Sequence, residues 1–406
     1  MRGYMAMEDK AGWFVPGQTR IPLNVPTYGA EEVIEALDSL LSTWVTMGTK
    51  VAAFEEMFAK YIGKWLGIMV NSGSSANLLA LHCLNLKPGD EVITPALTWA
   101  TTVFPIAQVG AVPVLVDVDR ETYNISPAAI EAAITPKTKA LMPVHLLGNP
   151  CDMAAIMDIA RARNLYVIED ACEAHGAEYR GVKVGSFGDL STFSFFFSHH
   201  ISTIEGGMVL TSNSIWADTC RSMRAHGWIR EIPTRIRVAA DYPAIDPRFL
   251  FLCPGYNLRP TEIQGAFGIH QLPKLESLID IRRLNAQYFN KALAAYQEWL
   301  MLPGERLGTR HSYFSYPLTV KQDAPFTKDQ LVSYLEECGL ETRPIEAGNI
   351  TVHPAMKLVD HRVSGSLANA QYIHENGFFF GCHQGIAQDQ REAIVGYFKD
   401  FFEEFA

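Results

Sequence analysis

Tyr166-Val167-Ile168-Glu169-Asp170 is a short apolar run closed by two acids. Its length and its β-branched centre suit a strand buried on both faces of a parallel sheet. Upstream, Glu91 to Pro95, Val112 to Val116 and Ala140 to Val144 read the same way, with helical patterns such as Met153 to Arg163 between them. From Asn71 onward this alternation predicts βαβ units: an α/β fold with a mostly parallel sheet covered on both faces. Ligands of such sheets sit at the carboxyl ends of the strands. Asp170 therefore either faces a ligand, where it can hold a pyridine nitrogen protonated, or caps the next helix.

Outside this region the texture changes. Val33, Ile34, Leu37, Leu40 and Leu41 share one face of a helix over residues 30–42. After about Pro273 come a long helical pattern from Leu275 to Tyr296 and an extended segment from Tyr313 to Val320. A helix then opens on a Thr327/Gln330 capping box and closes at Gly339. A last amphipathic stretch carries Ile394, Val395, Phe398 and Phe402. The expected division is an N-terminal arm (1–29), a large domain (30–272) and a smaller α+β C-terminal domain (273–406).

Composition excludes several classes of function. The 406 residues are 48% hydrophobic and 19% charged, as in an ordinary globular enzyme. A net charge of −10 without any basic tract argues against nucleic-acid binding. No apolar run reaches membrane-spanning length, and Glu8 and Asp9 spoil a secretory reading of the N-terminus. Seven scattered cysteines without a C-x-x-C predict reduced thiols and a cytoplasmic setting.

Several segments carry candidate chemistry. Asn71-Ser72-Gly73-Ser74-Ser75-Ala76-Asn77 is a small-residue loop entering a helix, which suits a phosphate or serves only as a cap. Trp99, in Thr94-Pro95-Ala96-Leu97-Thr98-Trp99, follows a strand and either stacks on a flat ring or fills core. Gly255-Tyr256-Asn257-Leu258-Arg259-Pro260-Thr261-Glu262-Ile263-Gln264 is a polar turn into a helix. In Ser194-Phe195-Phe196-Phe197-Ser198-His199-His200-Ile201-Ser202-Thr203-Ile204-Glu205-Gly206-Gly207 two histidines adjoin. With His175, His226 and Cys172 they make a zinc set only on paper, because adjacent side chains diverge and no metal-ligand spacing supports them. No metal site is expected.

Taken in order, these segments resemble the DegT/DnrJ/EryC1/StrS family of pyridoxal phosphate (PLP) sugar aminotransferases. The serine loop, the Thr-Trp after a strand, V-I-E-D-A, G-S-F-G-D at Gly185 to Asp189, S-F…E-G-G and G-Y-N-x-R-x-T-E-I-Q match from about Trp44 onward. The resemblance implies fold type I and a homodimer with shared active sites. It implies that Asp170 partners the pyridine nitrogen and Trp99 stacks on the ring. Ser74, Ser75 and Ser194 would surround the phosphate, which Asn257 would reach from the second subunit. Trp44 lies in the substrate-facing entry segment; His226 lies in a segment near the active site and either serves it or is structural; Arg343 either reaches the substrate or the glutamate carboxylate or is a solvated arginine of the C-terminal domain. Lys183 belongs to the ordinary G-x-K-x-G-S segment.

Two departures point inside the family. His199 stands where a lysine would form a Schiff base with the cofactor, and Glu173 stands where the aminotransferases usually carry glutamine. Both resemble the sugar 3-dehydratase branch, as does Phe14-Val15-Pro16-Gly17. An imidazole moves protons but cannot tether an aldehyde. One group in that branch adds an iron–sulfur cluster held by several thiolates. Only Cys253 lies between Cys220 and Gly255, so no such cluster is expected. The resemblance then implies PLP and pyridoxamine phosphate (PMP) held non-covalently, L-glutamate as amino donor and His199 as general base and acid. The substrate would be a nucleotide-linked 4-keto-6-deoxysugar, GDP-4-keto-6-deoxy-D-mannose, that loses its C3 hydroxyl. The alternatives are a nucleotide-sugar aminotransferase that tolerates histidine and a cofactor-binding member without catalysis.

Overall fold

The structure, a computed structural model, describes residues 14–405. The first thirteen residues of the expected N-terminal arm, with Glu8 and Asp9, lie outside the described residues. Seven short strands carry the large sheet: β1 (Leu66–Val70), β2 (Glu91–Pro95), β3 (Val112–Val116), β4 (Thr138–Leu141), β5 (Tyr166–Asp170), β6 (Leu190–Ser194) and β7 (Gly207–Thr211). A second sheet of four strands holds β8 (Leu300–Met301), β9 (Tyr316–Val320), β10 (Thr342–Pro344) and β12 (Gly377–Phe380), while β11 (Arg362–Val363) returns to the edge of the first. The large sheet runs β1-β7-β6-β5-β4-β2-β3-β11. Its strands are parallel except β7, which is antiparallel to both neighbours. Near-continuous apolar runs are what a sheet buried on both faces demands.

Two boundaries shift for stated reasons. The run read as Ala140 to Val144 is a strand over Thr138–Leu141. Met142 still donates to Ile93 O, but Pro143 has no N–H to continue the ladder. The extended segment begins at Tyr316 rather than Tyr313, because Tyr313 adopts φ 49° and Phe314 N donates to Leu147 O instead. Residues 312–314 form a strap across the mouth of the large sheet.

The helices follow their sequence signals more closely. Met153–Arg163 forms as read, and Thr327 and Gln330 cap Lys328–Glu337 reciprocally, with Gly339 at φ 90° beyond its end. Leu275–Leu293, here α4, is preceded by α1 (Ala30–Leu41), α2 (Gly73–Cys83) and α3 (Glu262–Gln271). Helix α1 turns Glu32, Ala36 and Ser39 inward, beside Ala266 and Phe267 of α3. Its apolar face points outward instead, with Val33, Ile34, Leu40 and Leu41 all exposed. The small sheet has its own core of Phe289, Tyr316, Phe378, Phe380, Phe398 and Phe402. Losing one such buried ring costs about 3–5 kcal/mol.

Candidate active site

At the carboxyl end of β5 the two acids part company, as successive residues of a strand must. Glu169 is fully buried and accepts N–H bonds from Gly185 (2.8 Å) and Gly188 (2.7 Å). Burial disfavours its charge, but His145 Nε2 at 3.1 Å and these two N–H groups hold its carboxyl below the usual range. The glycines of G-S-F-G-D therefore serve Glu169, which is structural. Asp170 faces the pocket side. Its Oδ2 accepts from Asn77 Nδ2 (2.9 Å) and Thr102 Oγ1 (2.8 Å), and its Oδ1 from Cys172 N (3.2 Å). Three donors fix the carboxyl's orientation. Asn77 and Thr102 carry this task unflagged by the sequence reading, although Asn77 sits inside a quoted motif.

Ser72 caps α2 by accepting from Ser75 N (3.1 Å), and Ser75 Oγ donates to Asn71 Oδ1 (2.7 Å). Ser74 stays exposed on the first turn. This loop lies directly on the ends of β6 and β7. A Cβ on Gly73 would come within 2.6 Å of Ser194 Cβ, and one on Gly207 within 2.2 Å of Ser72 O. The second glycine of E-G-G exists to admit this backbone contact. Trp99, which precedes the helix carrying Thr102, leaves 56% of its surface open. A tryptophan so placed is not core.

His199 follows Ser194 in a turn in which its N–H donates to Phe196 O (3.0 Å). Nδ1 is buried without a partner, so Nε2 is the nitrogen at the accessible edge. Protein surrounds the rest of the ring, with Phe314 at 5.3 Å and His175 at 6.0 Å between centroids. Burial, reinforced by the charge of Arg282, pushes the imidazole's pKa down to about 3. The ring is neutral and basic in form at pH 7. His200 points elsewhere, its Nε2 bonding Ser312 O at 3.0 Å.

Glu173 sits three residues beyond Asp170, buried, with Oε2 accepting from Leu147 N at 2.7 Å. Its partner is Glu346, in the loop after β10. Burial and the facing Glu346 carboxyl push Glu173 well above the usual range, and burial raises Glu346 too. The pair retains protons that isolated carboxyls lose. Glu346 carried no sequence signal.

The remaining candidates are not gathered here. Asn257 is exposed, accepts from Arg259 Nε (3.0 Å), and lines a separate cavity of about 520 Å³ with Thr46, Gly48 and Arg259. Trp44 is an exposed indole close to Gly48. His226, at φ 66°, is exposed, and Arg343 is exposed beside Glu341. Lys183 is held by Glu276 (2.8 Å) and Glu178 (3.3 Å). A cavity of about 660 Å³ near Thr138, Tyr166 and Asp189 opens at the opposite ends of the strands.

The pocket fits a phosphate-bearing pyridine. A capped helix terminus, a glycine with no room for a side chain, an open indole, an oriented carboxylate and an imidazole with Nε2 at its accessible edge meet at the carboxyl ends of the strands. Residues 26–399 match the model of the DegT/DnrJ/EryC1/StrS aminotransferase family. A GDP-4-keto-6-deoxy-D-mannose 3-dehydratase of Yersinia pseudotuberculosis is 40% identical, the match covering 94% of this chain and 99% of that protein. A GDP-perosamine synthase of Caulobacter vibrioides is 35% identical over 93% of this chain and 96% of its own. The Escherichia coli GDP-4-keto-6-deoxy-D-mannose-3-dehydratase with bound hydrated PLP superposes with a TM-score of 0.89 at 37% identity, covering 94% of this chain and all of that one. A GDP-4-keto-6-deoxymannose-3-dehydratase with a trapped PLP-glutamate geminal diamine gives 0.88 at 37% identity, covering 93% of this chain and 99% of that one. With its fold, its pocket and nearly its whole length in agreement, this chain belongs to the DegT/DnrJ/EryC1/StrS aminotransferase family.

Proposed function

We propose that this protein is a PLP/PMP-dependent 3-dehydratase of a nucleotide-linked 4-keto-6-deoxysugar, GDP-4-keto-6-deoxy-D-mannose, with glutamate as amino donor. One observation carries this reading. The side chain at the cofactor-lysine position is an imidazole held neutral, with Nε2 at the open edge, while the nearby motif lysine, Lys183, is tied to two glutamates. When bound, the cofactor supplies an amine for the sugar ketone and a ring that stores an electron pair.

The chain's own residues do the rest. Ser74, Ser75 and Ser194 would hold the cofactor's phosphate, Trp99 would stack on its ring, and the Asp170 carboxylate would keep its ring nitrogen protonated. Glu173 lines the same wall beside Asp170. His199 takes a proton at Nε2, and the resulting imidazolium, strongly acidic in this setting, returns it to the departing C3 hydroxyl. No side chain competes for the aldehyde carbon, so amino transfer to the sugar is not driven to completion. Trp44, His226 and Arg343 are assigned to the rim that receives the substrate.

Two features support a homodimer that shares its sites. The outward apolar face of α1 leaves Leu41 83% exposed, and the exposed Asn257 lines a cavity to which His199 does not contribute. Asn257 of the partner subunit would complete the phosphate site. Among the described residues no helix is long and apolar enough to cross a membrane.

The test supplies glutamate, PLP and candidate nucleotide-linked 4-keto-6-deoxysugars and follows the product by mass spectrometry. Loss of one oxygen with ammonia release supports the dehydratase. A stable aminosugar would instead establish an aminotransferase, the activity implied by the Caulobacter relative's name.

A further inference from the structure

Arg282, on α4, is the largest fully buried side chain among the described residues, 1% exposed. Its neighbour Arg283 pairs with Glu305 at 2.9 Å, but no ion pair among the described residues includes Arg282. Its Nε and Nη2 have no partners. A buried charge without a counter-ion costs several kcal/mol and needs compensation. Among the described residues its side chain's only hydrogen bonds run from Nη1 to Tyr313 O (3.2 Å) and Phe314 O (2.8 Å).

Those carbonyls belong to the strap across the pocket. Ser312 N donates to Gly148 O and Phe314 N to Leu147 O. Ser312 O bonds His200 Nε2, and the Phe314 ring packs on both His199 (5.3 Å) and His200 (6.2 Å). We propose that Arg282 is a positioning residue for His199: it ties the Ser312–Phe314 strap against the histidine pair, and its uncompensated charge keeps the imidazole free to accept a proton. This rests on His199 acting as the base, the reading given above.

The groups facing this cluster are His175 after β5, His200 beside His199, and His383 and Cys382 after β12. Cys382 Sγ donates to Arg282 O at 3.1 Å. Burial pushes His175, His199, His200 and His383 downward, and the charge of Arg282 adds to that push in each. No carboxylate intervenes among the residues that act on His199.

Arg282→Met removes the charge and keeps the volume; Arg282→Lys keeps the charge. The readout is the NMR titration of ¹³C-labelled histidine in ligand-free protein, with the His199 signal identified by its loss in His199→Asn. It is paired with the acid limb of kcat/KM for dehydration. In the wild type and Arg282→Lys, His199 should titrate well below its ordinary midpoint. In Arg282→Met, midpoint and acid limb should both rise by about one pH unit, tenfold in proton affinity. A folded Arg282→Met protein with both unchanged overturns the proposal. Should that variant not fold, an ordinary His199 midpoint in the wild type or in Arg282→Lys overturns it equally. A midpoint that rises in Arg282→Met while wild-type protein gives no deoxygenated product would uphold the electrostatic role and defeat the dehydratase reading alone.

Discussion

Glu173→Gln isolates the carboxyl pair that closes one wall of the pocket. In the wild type Glu173 and Glu346 face each other in a buried site, with the Asp170 carboxylate opposing the ionisation of both. Each folded-state pKa lies above the ordinary value of 4.5, so the folded protein holds protons that the unfolded chain releases. Below pH 4.5 both states are protonated and the pair is harmless. As pH rises from there toward the raised value, stability falls by about 1.4 kcal/mol per pH unit for each retained proton. Between pH 5.5 and 7.5 the wild type should therefore lose stability as pH rises, for as long as the pair keeps its proton. Glutamine preserves an acceptor for Leu147 N and offers Glu346 a donor, so Glu346 can ionise and the dependence flattens. Urea midpoints of ligand-free protein, measured every half unit across this range, read the difference directly. Wild-type and Glu173→Gln profiles that run parallel would refute the shared proton.

Three further outcomes follow from the geometry. His199→Lys should abolish deoxygenation and give the absorbance band of a lysine-bound cofactor; dehydration surviving in that variant would remove His199 as the base. Gly207→Ala places a Cβ 2.2 Å from Ser72 O, so it should cost about 1–3 kcal/mol of stability and weaken PLP binding, read by equilibrium dialysis. Unchanged affinity would mean that the serine loop does not hold the phosphate. The paired change Ile34→Glu and Leu41→Glu puts charge on the open face of α1, and light scattering should then show a monomer with impaired turnover. A dimer that persists would show that this face is not its interface.

What the sequence disclosed depended on the kind of constraint each residue obeys. Strands β2, β3 and β5 were legible because burial on both faces leaves an apolar run of the right length, and Pro143 alone displaced the end of β4. Helix α1 was legible in period but not in orientation, since periodicity records an apolar stripe without saying whether its own chain or another covers it. His199 and Asp170 stood out in the sequence because a proton-moving ring and a strand-end carboxylate are each one residue type inside a local motif. Thr102, Arg282 and Glu346 did not. They act through position, reaching Asp170, the histidine strap and Glu173 from segments that chain crossovers bring to one sheet edge. The consequence is chemical as well as topological. A lysine at position 199 would lie in the same buried setting and feel the same unneutralised guanidinium, and both favour its neutral, nucleophilic amine over the ammonium. Restoring a tethering amine therefore calls for no change at Arg282: His199→Lys alone should form the lysine-bound cofactor at least as completely as His199→Lys combined with Arg282→Met, and an absorbance band confined to the double variant would refute that.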